Sequence, residues 1–406
     1  MGLGLSAPMR LIRNNSLGTI TAKLGSRMLA MKLGILHYAV GQKTFDDQLV
    51  AKAFRGPGFD QIRLVAATTV LLHHAHGFDY DTRVDPLFTY SGRFLHFGLL
   101  AVLVFFAISG FLVTPGLVRS RNLISYATNR VLRIFPALIV VVIASMLLLG
   151  PILTTMSPVS YFSDPKLYLY AKNILTLTTN DLPGVTSASG EPVVVNGALW
   201  TIHFEILSYG ILAIMSVLSL VRRSGVLIVF LAAYGVYVAM NFEPAVLASL
   251  PGRFATLISL FVYFAAGSAL YMFRNWIPYS ASLAVGAFAL LMVALAFGFG
   301  AVLAPLCLPY ITIFLGLSVL PGRSLLKRDL SYGIYLVHAP VLVAFGLFYP
   351  ALRPWWLVAL VAFVIALILS YLSSRFIESP ALARKKAVFI WISDRFSKVL
   401  AFQASR

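Results

Sequence analysis

The chain has a single cysteine, Cys307, among 406 residues. One thiol excludes an intrachain disulfide, a CxxC motif and a thiolate metal site. Charge is scarce too: 11% of residues are Asp, Glu, Lys or Arg, against about a quarter in soluble domains. Acids are scarcest, 14 against 32 Lys and Arg. The ten-residue alternation of an outer-membrane barrel is missing. Residues 1–57 lack the apolar core and small-residue cleavage site of a secretory signal.

What remains is apolar. Hydrophobic residues make up 59% of the chain and aromatic residues 13%, and several runs reach the ~20 residues that cross a ~30 Å hydrocarbon core as helix. The sequence therefore predicts an all-α, polytopic membrane protein. About ten spans are expected, at 61–78, 96–115, 134–153, 197–220, 225–240, 254–272, 280–298, 301–319, 331–349 and 355–374.

A net charge of +18 would suggest nucleic acid for a soluble protein, so its placement decides its meaning. With a cytoplasmic N-terminus, 26 of the 32 Lys and Arg fall on cytoplasmic segments. The outer ones are Arg83, Arg93, Lys166, Lys172, Arg253 and Arg353. This skew predicts both termini in the cytoplasm. The basic charge is then accounted for by orientation and anionic lipid, not by nucleic acid.

Three parts follow: a basic cytoplasmic arm over 1–57, a membrane domain over 58–378 with an outer loop at 154–196, and a basic cytoplasmic tail over 379–406. The arm is amphipathic over LGSRMLAMKLGILHYAV, and a true start at Met28 or Met31 is a rival account of it. The loop holds Pro158, Pro165, Pro183 and Pro192, which predicts structure with a short helix at 165–175. In the second span, Ser109 and Gly110 allow a neighbouring helix or a ligand to come close, while Pro115 predicts a kink or an end.

Ionisable groups inside spans are costly and mark function. In FDQIRLVAATTVLLHHAHGF, Arg63 and His74 are eleven positions apart, which puts them on nearly one helical face, roughly 16 Å apart along the axis. His73 and His76 turn elsewhere and suit packing. Glu205 is the carboxylate expected deep in a span, with His203 beside it, and His338 lies on the ninth span. By depth, His74 sits ~20 Å from the inner edge, Glu205 ~12–14 Å from the outer and His338 ~11 Å from the inner, so all approach the midplane. Glu205 could orient or charge-stabilise His74 as a general base.

Each also has a plainer role: His338 beside Pro340 can bond a carbonyl that the proline frees, Glu205 can be a protonated structural acid, and Tyr332 and Tyr335 can simply pack. Arg130 and Arg133, three positions apart at the cytoplasmic edge, can grip phosphates together with Arg63 or merely anchor the helix. No His/Asp/Glu cluster has metal-ligand spacing with enough members, so no metal is expected.

These residues resemble acyltransferase family 3, integral-membrane enzymes that O-acylate surface polysaccharides, O-antigens and Nod factors. The resemblance runs from 59 to about 380 and is carried, in order, by Arg63 with His74, FFAISGFL at 105–112, RVLRIFP at 130–136, LWTIHFE at 199–205 and SYGIYLVHAP at 331–340. Thr201 stands where serine is common, and His203 is a departure. The resemblance implies a multi-pass protein of a bacterial inner membrane. It also implies a catalytic His74, an essential Arg63, and an Arg130–Arg133 pair that faces cytoplasmic acyl-CoA, most simply acetyl-CoA. Ser109, Glu205, Tyr332, Tyr335 and His338 are motif positions for catalysis or support. Some relatives carry an outer hydrolase domain after the last span; without one, transfer is completed in the membrane domain or by another protein. The competing expectation is a glycan or proton-coupled transporter, against which no broken half-helices or inverted repeats are evident.

Overall fold

The computed structural model describes residues 43–52, 56–76, 85–120, 122–318, 328–348 and 354–404. The segment 24–40, expected to be amphipathic, lies outside these. Among the described residues there is no named strand; the fold is all-α. Ten long helices occupy the ten expected positions: α1 Phe59–His76, α2 Phe97–Ser120, α3 Leu123–Ala144, α4 Trp200–Val217, α5 Arg223–Phe242, α6 Gly252–Met272, α7 Ala281–Ala296, α8 Gly300–Leu317, α9 Ser331–Phe348 and α10 Trp355–Ser373. Helices α3 and α10 run on through π turns, Ser145–Leu149 and Ser374–Glu378, so their segments reach Leu153 and Ala383.

Eight of the ten are long and apolar enough to cross a membrane unaided. The other two are α7, with 16 residues, and α1, whose 18 residues include Asp60, Arg63 and three histidines. At 1.5 Å per residue α7 spans only ~24 Å. Of the ten expected spans, eight are candidates by length and composition among the described residues.

Helices α2 and α6 approach most closely where glycines face each other. A Cβ on Gly110 would strike the Phe264 carbonyl, and one on Gly267 the Ala107 carbonyl. Without those Cβ atoms the backbones meet directly, and Ser268 Oγ donates to the Gly110 carbonyl at 3.3 Å. The helix does not end at Pro115; it continues to Ser120. Helix α1 lies against α2, α9 and α10. Its Ala67, Leu71 and Ala75, one face at four-residue spacing, share one buried cluster with Ala359, Ala362 and Ala366 of α10 and with Ile334 and Leu342 of α9, the helix that carries His338.

The 154–196 loop folds on itself. Ser157 and Asp164 cap the helices Pro158–Ser163 and Pro165–Tyr170, each with proline at its first position, and a 3₁₀ turn Ala171–Leu175 follows. Tyr161 and Tyr170 are buried beneath it. At the opposite end, the helix Phe45–Ala51 docks rather than trailing. Buried Phe45 donates its N–H to the Ile277 carbonyl at 3.0 Å, and Arg274 meets Asp46 at 2.7 Å. We call the two ends of the bundle the loop end and the arginine end.

Candidate active site

The histidine of α1 has a partner on α9. His74 Nδ1 lies 3.0 Å from His338 Nε2, with the rings 5.1 Å apart and 29° from parallel. His338 Nδ1 lies 2.8 Å from the Tyr335 carbonyl and 3.2 Å from that of Ile334. Carbonyls only accept, so Nδ1 of His338 carries the hydrogen. The ring is fully buried, and among the described residues no carboxylate pairs with it, so a second proton would leave a buried charge unpaired. His338 is therefore assigned neutral, its Nε2 lone pair accepts the Nδ1–H of His74, and Nε2 of His74 is left with a free lone pair.

The plainer role suggested for His338 does not hold. Pro340 frees the carbonyl four residues back, Leu336, and that carbonyl is taken by Asn196 Nδ2 at 2.9 Å. His338 bonds other carbonyls and points its free nitrogen at His74.

Toward the arginine end lies a cavity of about 90 Å³ lined by Arg63, Arg130, Arg133, Ser109, Glu205, Thr201 and tyrosines 209, 332 and 335. Every predicted site residue except His74 and His338 borders it. Glu205 Oε1 accepts from Tyr209 Oη at 2.5 Å and from Ser109 Oγ at 3.1 Å. Glu205 is expected from the sequence to orient or charge-stabilise His74; the hydrogen-bond partner of the imidazole is His338, and those of the carboxylate are a tyrosine and a serine. Tyr335 does more than pack. Its hydroxyl donates to the Ala198 carbonyl at 2.9 Å and meets Thr201 Oγ1 at 2.5 Å, while its ring lies 5.9 Å from that of His338. It links the cavity to the histidine pair. Tyr332 Oη bonds the Ile134 carbonyl at 2.8 Å.

The three arginines reach one cavity but differ in freedom. Arg133 is gripped from two sides, by Asp329 at 2.6 Å and Glu378 at 3.1 Å, and Arg63 lies 3.6 Å from the same Asp329. Burial tends to raise the Asp329 pKa, but the guanidiniums of Arg133 and Arg63 and two bonds from Ser331 outweigh it and hold the carboxyl below its ordinary value. Arg130 lies over the Tyr209 ring, 5.7 Å from its centre, and among the described residues has no carboxylate partner. Sequence reasoning missed both acids. The signal for Glu378 was an acid just after Arg375 in a basic tail, hidden because the last span was ended at 374 while the helical segment runs on through a π turn.

Beside the pair, at the loop end, α1 and α2 bring together residues that sequence spacing could not. His73, Asp85 and His96 place ligand-type atoms within 4.8 Å of one another. Their hydrogen bonds are already arranged. Asp85 accepts from the N–H groups of Leu87, Phe88 and Phe97 and from His73 Nδ1 at 3.1 Å, His96 Nδ1 accepts from the Leu99 N–H, and the two imidazoles stack 4.4 Å apart. This clasp joins the Pro86–Tyr90 helix to α1 and α2. Burial raises the Asp85 pKa, but those donors outweigh it and the value falls below the ordinary one. His73, for which packing or an interfacial role is expected from the sequence, belongs to this clasp; His76 stands edge-on to Trp355, 5.1 Å between ring centres.

Comparison with known proteins identifies the family of the chain. Residues 57–375 match the family model described as an acyltransferase domain. The chain is 30% identical over 340 residues to an O-acetyl transferase of Shigella phage Sf6, covering 80% of this chain and 96% of that protein. It is 32% identical over 349 residues to Nodulation protein 10 of Rhizobium leguminosarum bv. viciae, covering 80% and 92%. No solved structure matches. With a helical membrane domain and a family match over most of its length, the chain belongs to acyltransferase family 3 and is a membrane O-acyltransferase.

Proposed function

We propose that the protein moves an acyl group, most simply acetyl, from acyl-CoA at the arginine end to a hydroxyl of a surface or lipid-linked carbohydrate that enters at the loop end. The observation that carries this is the His74–His338 pair, which leaves His74 Nε2 as a base and is joined through the Tyr335 ring to an arginine-lined cavity. Orientation follows the charge skew: the arginine end faces the cytoplasm and its acyl-CoA, in a bacterial inner membrane.

Arg130 offers the unpaired cation to the donor's phosphates, and Arg63 and Arg133 add fixed charge while Asp329 and Glu378 hold them in place. The acyl arm then runs along α1 toward His74. There the acceptor O–H gives its proton to Nε2 as its oxygen bonds the acyl carbon; the C–S bond breaks, and the imidazolium returns the proton to the leaving thiolate. His338, by accepting from Nδ1–H, steadies the imidazolium as it forms. Glu205, Tyr209 and Ser109 are placed to position the donor rather than to relay the proton. A cavity of about 90 Å³ suits a short acyl group. The deciding experiment is His74→Ala: normal protein levels with loss of O-acetyl groups from the cell's glycans are expected, and unchanged acetylation overturns the assignment.

A further inference from the structure

Across α4 from the arginine-lined cavity is a second cleft that the proposed chemistry does not use. It lies under the folded loop at the loop end, has a volume of about 440 Å³, and is lined by Trp200, His203, Arg253, Thr176, Thr178 and Thr256, with Leu177 and Phe204 as its aliphatic and second aromatic walls. Trp200 is 36% exposed at the start of α4, a helix that is half buried. Arg253 is exposed, and among the described residues no carboxylate pairs with it. No acid lines the cleft. Its chemistry is an aromatic face, a ring of hydroxyls and uncompensated positive charge.

Thr176 is the telling residue. It ends the 3₁₀ turn Ala171–Leu175 with φ 60°, a left-handed conformation usually given to glycine and unfavourable for a β-branched side chain. Glycine would end the turn without strain. The threonine instead brings a hydroxyl 3.4 Å from His203 Nδ1, within the cleft. The strained backbone at Thr176 goes with the placement of a polar group in the cleft.

We infer that this cleft is a subsite for an acidic sugar unit of the acceptor: a pyranose stacked by its C–H face on Trp200, its hydroxyls on the threonines and His203, and its carboxylate on Arg253. This rests on the proposed function in taking the acceptor to be a carbohydrate. The unit held here is not the one acylated. Trp200 and Thr201 are adjacent on α4 and so point ~100° apart; Trp200 faces the cleft, while Thr201 meets Tyr335 on the way to His338. The cleft and the imidazole pair are therefore separated by one helix diameter, ~10 Å, and by the Tyr335 and His338 rings beyond it, 5.9 Å apart, so the subsite reads another unit of the glycan. It sets which glycan is modified.

The test is titration of the full-length protein in nanodiscs, read by tryptophan fluorescence, with tetramers derived from polygalacturonate, hyaluronan and polysialic acid as acidic probes and maltotetraose as the neutral one. At least one acidic tetramer should bind more tightly than maltotetraose. Arg253→Gln should weaken it about tenfold, in line with loss of a charge-assisted hydrogen bond, and Trp200→Phe should remove the fluorescence change. His74→Ala should bind as the unaltered protein does. The inference is overturned if no acidic tetramer binds, if Arg253→Gln binds equally well, or if phosphatidylglycerol vesicles displace the probe, which would make the cleft a lipid-headgroup site. An unchanged Arg253→Gln affinity leaves the acyl transfer proposal standing. Full transfer by His74→Ala removes that proposal and leaves the cleft.

Discussion

Replacing His338 separates an orienting group from a packed one. In His338→Ala the ring of His74 loses the imidazole that accepts its Nδ1–H and keeps a bond to the Val70 carbonyl; losing the imidazole acceptor in this buried site costs about 1–3 kcal/mol. Part of the enzyme can escape that cost by moving the proton to Nε2, the tautomer that cannot act as a base. At 1.36 kcal/mol per factor of ten, kcat should fall roughly 10- to 100-fold while KM for the acyl donor stays the same. His338→Gln keeps an acceptor near the position of Nε2, 3.0 Å from His74 in the native pair, and should recover most of the loss. The assay is acyl transfer by purified protein in proteoliposomes, with thermal melting in parallel to show that the fold persists. A phenylalanine variant that melts normally and keeps full kcat would refute the tautomer argument. So would a glutamine variant no better than alanine.

Other outcomes follow from the same geometry. Arg133→Gln strips Asp329 and Glu378 of their shared counter-charge, and breaking a buried pair costs about 3–5 kcal/mol, so the protein level and melting temperature should fall. Arg130→Gln, which breaks no ion pair, should leave folding intact and raise KM for the donor about tenfold, measured by initial rates against donor concentration. Gly110→Val drives a side chain into the Phe264 carbonyl and should prevent α2 and α6 from packing, seen as loss of the monodisperse species in size-exclusion chromatography. Asp85 has a folded pKa below its ordinary 3.8, so its stabilising contribution is present above that value and is lost as pH falls through the lower folded one. Melting temperatures between pH 6 and pH 3 should therefore drop less steeply in Asp85→Asn than in the unaltered protein.

The sequence carried the fold class because a bilayer leaves few choices. Backbone groups without water must bond within a helix or a closed barrel, so apolar runs of the right length dictate α-helices, and all ten appear where composition put them. It also carried the membership of the cavity: Arg63, Arg130, Arg133, Ser109, Glu205, Tyr332 and Tyr335 do converge, since groups costly to bury in lipid turn inward. It misjudged three boundaries. Pro115 lies within α2, α3 begins at Leu123 rather than at 134, and α10 outlasts its predicted end, which hid Glu378.

The linear chain could not decide which polar group pairs with which. Depth arithmetic placed His74, Glu205 and His338 at similar levels, but depth is one coordinate of three. Packing of α1 against α9 set His74 on His338, while the α2 and α4 walls set Glu205 on Ser109 and Tyr209. The arginine that looked ready for phosphate, Arg133, is committed to two acids brought from positions 329 and 378. Hydropathy and charge fix each helix on its own, through its exchange with lipid and water. Pairing is a property of side chains from distant segments meeting at a common depth and angle, and only the folded bundle supplies the angle.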